Sequence, residues 1–314
     1  MDTQLTILQF FQSIRSPLLN GVFLIFTVST ELPVIVLFTA IMYWCINKKY
    51  GQKILFSLVG NIMLNTGIKE FVKVKRPIGT PGLESLRVET ATGYSFPSGH
   101  TQTGTAFWTS IMSLFKINWL YILGTIMILG IGISRLYLGV HWPIDVLFGW
   151  IFGVLFTTIL LKIFDIVDRN KNYSILLFLL VPFALFTMIL NSVEYVKMFG
   201  LFTGFILGYI VEDKYIDFAT GNEDRRRINF GRKINNRFEN KSRLVVNIYR
   251  VIVGILTLGL VYVGLKYIAE FLIISEITAN IEMLAIVLDY IRYTLVVFYA
   301  VAGAPALFKK FKLG

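Results

Sequence analysis

The chain's two histidines, His100 and His141, each sit in a short polar cluster beside a long apolar run. Imidazole titrates near neutral pH, so it suits proton transfer and nucleophilic attack. The cluster around His141 reads Ser134-Arg135, five residues, His141, three residues, Asp145. Pro143 is placed to open a helix, which puts Asp145 in its first turn within reach of the His141 ring. A carboxylate that accepts one ring N–H raises the basicity of the other nitrogen, making His141 a candidate nucleophile. A helix cap beside an interfacial histidine is the other reading of these residues.

The cluster around His100 reads Tyr94-Ser95-Phe96-Pro97-Ser98-Gly99-His100. Pro97 suits the first position of a helix, where Ser98 and Gly99 would offer free backbone N–H groups to an anion. An ordinary helix start explains the same residues. A third cluster, Lys69-Glu-Phe-Val-Lys-Val-Lys-Arg76-Pro77, closes an apolar run. Lys69 and Arg76 are two helical turns apart, so the spacing predicts both, with Lys73, on one face of a helix that Pro77 stops. Such cations make a phosphate clamp, or they snorkel from a membrane end.

The elements that carry these clusters are those of a membrane protein. The 314 residues are 55% hydrophobic and only 16% charged, against about 25% charged in soluble domains. That composition excludes a soluble globule and long disorder. The lone Cys45 excludes an internal disulfide and a CxxC metal site. With two histidines in the chain, a structural His-rich metal site is not expected. A spanning helix needs about 20 apolar residues. Candidate spans lie near 31–46, 54–72, 99–115, 119–138, 143–164, 174–191, 197–211, 247–268 and 285–303. The fold class expected is therefore all-α, a polytopic membrane helical bundle of about nine transmembrane helices. The stretch 4–28 is interrupted by Gln9, Gln12, Arg15 and Pro17, and reads as one or two interfacial helices, or else a first span. No basic segment precedes it, so no cleavable signal peptide is expected.

The net charge is +11, and one set of loops carries about twice as many Lys and Arg as the opposite set, which holds Arg15, Lys197, Lys266 and the 73–97 loop. The first set holds Lys48, Lys49, Lys53, Lys116, Lys162, Arg169, Lys171, Lys309, Lys310 and Lys312, and the basic segment 212–244 with Arg225, Arg226 and Arg227. Basic loops face the cytoplasm, which leaves all three polar clusters on the opposite side. The arginine cluster reads as a cytoplasmic anchor touching anionic lipid, with nucleic-acid or protein docking as the alternative. Gly200, Gly204 and Gly208 allow close helix packing, in the core or in a dimer seam. Glu194, Glu270, Glu276, Glu282 and Asp289 lie near ends or loops, with no evident charged partner at membrane depth.

Lys69 with Arg76-Pro77, then Pro97-Ser98-Gly99-His100, then Ser134-Arg135 with His141 and Asp145, resemble the three signatures of the type 2 phosphatidic acid phosphatase superfamily. These read K-x6-R-P, P-S-G-H and S-R-x5-H-x3-D, and every position matches. The resemblance covers about residues 1–165. It implies a six-helix-type phosphatase core at 1–170, with additional transmembrane helices at 171–314 outside it. It also implies His141 as nucleophile, Asp145 orienting it, and His100 as general acid. Lys69, Arg76, Arg135, Ser98 and the Gly99 N–H would hold the phosphoryl oxygens, without metal or cofactor. The expected partner is a membrane lipid substrate, a phosphate or polyprenyl diphosphate, and not a nucleic acid. The loop 77–96, with Glu84, Arg87 and Glu89, is the expected headgroup gate. The site would be extracytoplasmic in a multi-pass cell-membrane protein, or lumenal in the endoplasmic reticulum of a eukaryote. A phosphotransferase using the same phosphohistidine, or a transporter, are the alternatives. A soluble haloperoxidase sharing the signature residues is excluded by the spans.

Overall fold

A computed structural model describes residues 2–220, 243–275 and 281–313, and every regular element in them is helical. In chain order these are α1 (Asp2–Ser13), α2 (Pro17–Val28), α3 (Leu32–Ile41), α4 (Lys48–Val72), α5 (Gly99–Phe115), α6 (Asn118–Tyr137) and α7 (Pro143–Asn170). They continue with α8 (Ser174–Leu190), α9 (Val193–Val211), α10 (Arg243–Ser275), α11 (Ile281–Phe298) and α12 (Ala304–Lys310). Single π-helical turns follow α3, α9 and α11. Arg225, Arg226, Arg227 and most of the basic segment lie outside the described residues, as does Glu276.

Helices stand at all nine places read as spans, but fewer reach crossing length. Among the described residues, five are long and apolar enough: α6, α7, α9 with its π turn, α10, and α11 continued to Lys310. The bent pair α2 and Leu32–Ile46, angled by 52°, makes a sixth if counted as one span. The chain is thus a multi-pass membrane protein, and its described residues hold five or six candidate spans where nine were expected. The difference has two physical sources. Lys48, Lys49, Lys53, Lys69 and Glu70 dilute the apolar character of α4. α5 and α8 have 17 residues each, about 26 Å of helix against a hydrocarbon core of about 30 Å. The stretch 4–28 forms two helices. Ser16 caps the second, its Oγ accepting from Leu19 N at 3.3 Å, with Pro17 at the first position.

The chain forms two compact units. The first comprises Met1–Val36, Phe56–Lys171 and Phe186–Tyr195. Its centre is α5 packed between α6 and α7. Gly149 and Gly153 of α7 make that approach possible. A Cβ at Gly149 would lie 2.9 Å from Thr101 Cβ, and one at Gly153 2.5 Å from Thr105 Cβ. Polar side chains lock α4 to the same helices. Asn65 Nδ2 donates to Gln102 Oε1 at 2.8 Å, and Asn61 Nδ2 donates to Thr157 Oγ1 at 3.1 Å. Buried amides need such partners, so this seam holds one register.

The second unit comprises Leu37–Leu55, Asn172–Leu185 and Val196–Gly314. Gly200, Gly204 and Gly208 face α11 and its π turn: a Cβ at Gly204 would lie 2.2 Å from Thr294 O. The glycine stripe therefore serves packing within the chain. Asp289 pairs with Arg292 at 2.7 Å and Lys197 at 3.8 Å, which corrects the expectation of an unpaired carboxylate. The charge arrangement is local to α9 and α11, an i,i+3 pair joined by a neighbouring helix. The buried Glu212 accepts from Lys48 Nζ at 3.1 Å and Gln52 Nε2 at 3.0 Å.

Candidate active site

Four helix termini of the first unit meet at one end. α4 and α6 finish there, and α5 and α7 begin there. Gly139, at φ +68°, makes the turn that carries the chain from Arg135 at the end of α6 back to His141. A Cβ at Gly139 would lie 3.1 Å from Glu84 O, so the residue serves a tight approach as well as a left-handed backbone.

His141 is buried before the first turn of α7. Its Nδ1 lies 3.3 Å from Asp145 Oδ2, and its Nε2 lies 2.9 Å from Arg76 Nη1. A guanidinium can only donate. The Nε2 is therefore the unprotonated nitrogen, and the ring proton sits on Nδ1 toward the carboxylate. Asp145 Oδ2 also accepts Trp142 N at 2.7 Å and the Ser95 hydroxyl. Ser95 Oγ is 3.4 Å from His141 Nδ1, so it bridges the pair from the loop before α5. Burial, followed by the charges of Arg76, Lys69 and Arg135, pushes the His141 imidazole well below its ordinary range.

Arg76 is fixed on all sides. Nε donates to Gly93 O at 3.0 Å, Nη2 to Thr92 O at 2.6 Å, and Nη1 to Val140 O at 3.1 Å. Burial lowers its pKa to about 10, which leaves it a cation at neutral pH. Lys69 reaches the loop carbonyls of Tyr94 and Ser95. The two cations do not share a helical face as the spacing predicted. α4 ends at Val72, because Lys73 turns left-handed (φ +56°) and closes the last turn onto Lys69 O at 2.9 Å. Lys73 is exposed, and Arg76 reaches the site from the loop.

The helix start at α5 also differs from expectation. Pro97 precedes the helix, Ser98 is its N-cap residue, and Gly99 is its first residue. Ser98 N donates to Asp145 O at 2.9 Å, and Ser98 Oγ accepts from Thr101 Oγ1 at 2.9 Å. Ser98 thus ties α5 to α7, while Gly99 faces Asn65 and Lys69.

A cavity of about 450 Å³ opens at this end of the bundle. Its lining combines Lys69, Arg76, Gly99, His100 and His141 with the apolar Leu32, Pro33, Ile35 and Ile62. Ser98, Asp145 and Arg135 are fully buried residues that are not part of this lining. Arg135 Nη1 donates to Thr27 Oγ1 at 3.1 Å, and its Nε and Nη2 are buried with no hydrogen-bond partner. Among the described residues, no three His, Cys, Asp or Glu side chains gather as a metal-binding group.

Residues 51–169 match the PAP2 superfamily, and residues 196–314 match the PAP2 superfamily phosphatase, transmembrane extension. Phosphatidylglycerophosphatase B of Bacillus subtilis is 31% identical over 174 residues, which is 51% of this chain and 81% of that protein. The chain belongs to the PAP2 superfamily. It is also 34% identical over 106 residues to the undecaprenyl-diphosphatase of Sulfolobus acidocaldarius, covering 34% of this chain and 51% of that one. Sphingosine-1-phosphate phosphatase 1 of Mus musculus is 28% identical over 146 residues, covering 44% of this chain and 34% of that one. The PAP2 chain therefore spans about half the length of the archaeal relative and a third of the mouse one. Two crystal structures are similar in part. The B. subtilis PAP2-type phosphatidylglycerolphosphate phosphatase gives a TM-score of 0.42 at 28% identity, over 52% of this chain and 85% of that one. Aquifex aeolicus LpxE gives 0.45 at 24% identity, over 51% and 95%.

The PAP2 match at 51–169 contains all eight residues singled out from the sequence. Four participants lie beyond those eight: Ser95, Gly149, Gly153 and Glu31. Ser95 lies in the cluster around His100, but its spacing gives it no role. Gly149 and Gly153, a small-xxx-small pair in α7, pack the helix of Asp145 against that of His100. Glu31, at the α2–α3 bend, lines the cavity; it lies outside every cluster, and no local spacing marks it.

Proposed function

We propose that this PAP2 protein is a metal-independent membrane phosphatase that hydrolyses a lipid phosphate or polyprenyl diphosphate through a phosphohistidine on His141. One observation carries the reading. His141 lines a cavity together with Lys69, Arg76 and His100, its Nε2 accepts from Arg76, and its Nδ1 is turned to Asp145.

In the first step Nε2 attacks phosphorus; the P–N bond forms as the P–O bond breaks, and His100 gives a proton to the departing oxygen. In the second step water attacks the phosphohistidine, the P–N bond breaks to free Nε2, and the proton of the water passes to His100. Lys69, Arg76 and Arg135, with the Gly99 N–H, hold the phosphoryl oxygens in this reading; Arg135 is buried outside the cavity lining with its Nε and Nη2 unpaired, so it must turn toward the cavity to use them. Ser98 joins α5 to α7 rather than binding the anion through its own N–H. The substrate class is supported by a cavity lining that combines apolar with charged residues, and by relatives that act on undecaprenyl diphosphate, phosphatidylglycerophosphate and sphingosine 1-phosphate by name.

Residues 1–170 carry the chemistry in this reading, and 171–314 are additional helices. The site faces the extracytoplasmic side, because Lys48, Lys49 and Lys53 and then Lys162, Arg169 and Lys171 stand at the opposite ends of α4 and α7.

The test is phosphate release by purified protein in detergent with EDTA, offered phosphatidate, phosphatidylglycerol phosphate, sphingosine phosphate and undecaprenyl diphosphate. Release lost in His141→Ala supports the reading. EDTA-sensitive release overturns the metal-free mechanism, and no release from any of the four by folded protein turns the assignment to phosphotransfer.

A further inference from the structure

Glu31 and Arg87 meet beside the catalytic cavity although neither belongs to the three polar clusters. Arg87 Nη2 lies 2.9 Å from Glu31 Oε1, joining the loop before α5 to the α2–α3 bend. Glu31 is itself part of the cavity wall, next to Leu32, Pro33 and Ile35. Arg87 holds a left-handed backbone (φ +55°), and its Nη1 is buried with no hydrogen-bond partner. Its charge is near enough to act on both His100 and Arg135. Arg87 is countered by two carboxylates, Glu31 at 2.9 Å and the more exposed Glu89 at 3.6 Å from its Nε, and an arginine with an unused buried donor beside an anion site is poised to exchange the carboxylate on the cavity wall for a better anion.

The phosphate attacked by His141 must sit on Lys69 and Arg76. The lipid tail must leave past Leu32, Pro33 and Ile35. Glu31, one residue before Leu32, lines the same cavity as Lys69 and Arg76, and Arg87 is ion-paired to it, so we place what lies between the attacked phosphate and the tail beside this pair. In a monoester that is an ester oxygen, and in a diphosphate it is the second phosphate.

We propose that Arg87 and Glu31 determine specificity at this position, with Arg87 binding the second phosphate of a diphosphate substrate and Glu31 acting as the counter-ion it displaces. The proposal rests on the phosphatase reading above and names the substrate feature that site selects. When a diphosphate arrives, the Arg87 guanidinium leaves the Glu31 carboxylate and takes two phosphate oxygens; a monoester leaves the ion pair closed. Glu31 thus opposes diphosphate binding, and Arg87 favours it. The two residues therefore have effects of opposite sign, which a merely structural strap would not show.

The test compares farnesyl diphosphate with farnesyl monophosphate on full-length protein in detergent, with Arg87→Gln, Arg87→Lys and Glu31→Gln. Charge-assisted hydrogen bonds are worth enough that Arg87→Gln is expected to lower the diphosphate-to-monophosphate ratio of kcat/KM about tenfold, mainly through KM. Arg87→Lys recovers part of that ratio. Glu31→Gln moves the ratio the other way, by about threefold. The same order is expected for stabilisation of His141→Ala protein by inorganic pyrophosphate relative to phosphate, lost in Arg87→Gln, which reads binding without turnover. Equal losses on both farnesyl substrates in Arg87→Gln and Glu31→Gln overturn the proposal and leave the pair a strap. A selective loss on sphingosine phosphate in Glu31→Gln also overturns it, by assigning Glu31 to an ammonium group. If unaltered protein releases no His141-dependent phosphate from either farnesyl compound while pyrophosphate still stabilises it through Arg87, the phosphatase reading fails and the anion site stands.

Discussion

Arg76 Nη1 lies 2.9 Å from His141 Nε2, and this contact sets the protonation of the candidate nucleophile. A guanidinium has donors and no acceptor, so the imidazole must present a lone pair to it. The ring proton is then on Nδ1, 3.3 Å from Asp145 Oδ2. The cation that would hold a phosphoryl oxygen also holds the attacking nitrogen in its reactive tautomer.

Asp145→Asn removes the acceptor for that proton and is expected to lower kcat by about 10³-fold or more. Ser95→Ala removes a hydroxyl that donates to the same carboxylate oxygen, with an expected loss of about tenfold. Phosphate release by folded variants checks both. An unchanged rate in Asp145→Asn would remove the tautomer argument.

His100→Ala is expected to reduce turnover of a monoester more than that of a diphosphate. An alkoxide needs a proton to depart and a phosphate leaving group needs less help. The rate ratio on farnesyl monophosphate and diphosphate measures this, and equal losses would assign His100 a different task.

Acid should weaken the fold through His141. Burial, reinforced by Arg76, Lys69 and Arg135, holds the folded-state pKa well below the ordinary 6.5. Below about pH 6.5 the unfolded chain binds the proton and the folded chain does not, so stability falls as pH drops through that window. Above it, His141 makes no pH-dependent contribution. The slope is about 1.4 kcal/mol per pH unit for one proton. Apparent melting temperatures measured from pH 7.5 down to pH 5.5 should fall less steeply in His141→Gln; parallel curves would count against the depressed pKa.

Gly153→Val is expected to destabilise the first unit by about 1–3 kcal/mol. Its Cβ would lie 2.5 Å from Thr105 Cβ and 3.0 Å from Gln102 O, which forces α5 and α7 apart. Activity should fall with stability, because those helices carry His100 and Asp145. A melting curve in detergent decides, and an unchanged midpoint would show that the seam yields.

How much was legible beforehand depends on sequence distance. His141 and Asp145 are one helical turn apart beside a proline, so their meeting follows from local geometry. Long apolar runs make helices, and all nine expected places carry one. Local period failed at Lys69 and Arg76, because it cannot see that the backbone turns left-handed at Lys73 and ends the helix early. It also placed Pro97 inside α5, where the structure puts Ser98 at the cap.

By itself the sequence determined the membrane-helical class, the three polar clusters and the pairing of His141 with Asp145, since each follows from composition or from spacing within one turn. Only the tertiary structure decided that Arg76 faces Nε2, that Ser95 bridges the Asp145 carboxylate, that Glu31 meets Arg87 at the cavity, and that Gly153 seats α7 on α5. The Glu31–Arg87 and Arg76–His141 contacts join residues more than fifty positions apart through loops and close packing. Helical periodicity relates only residues within a few turns of each other, so it is silent on which distant side chains such packing brings together.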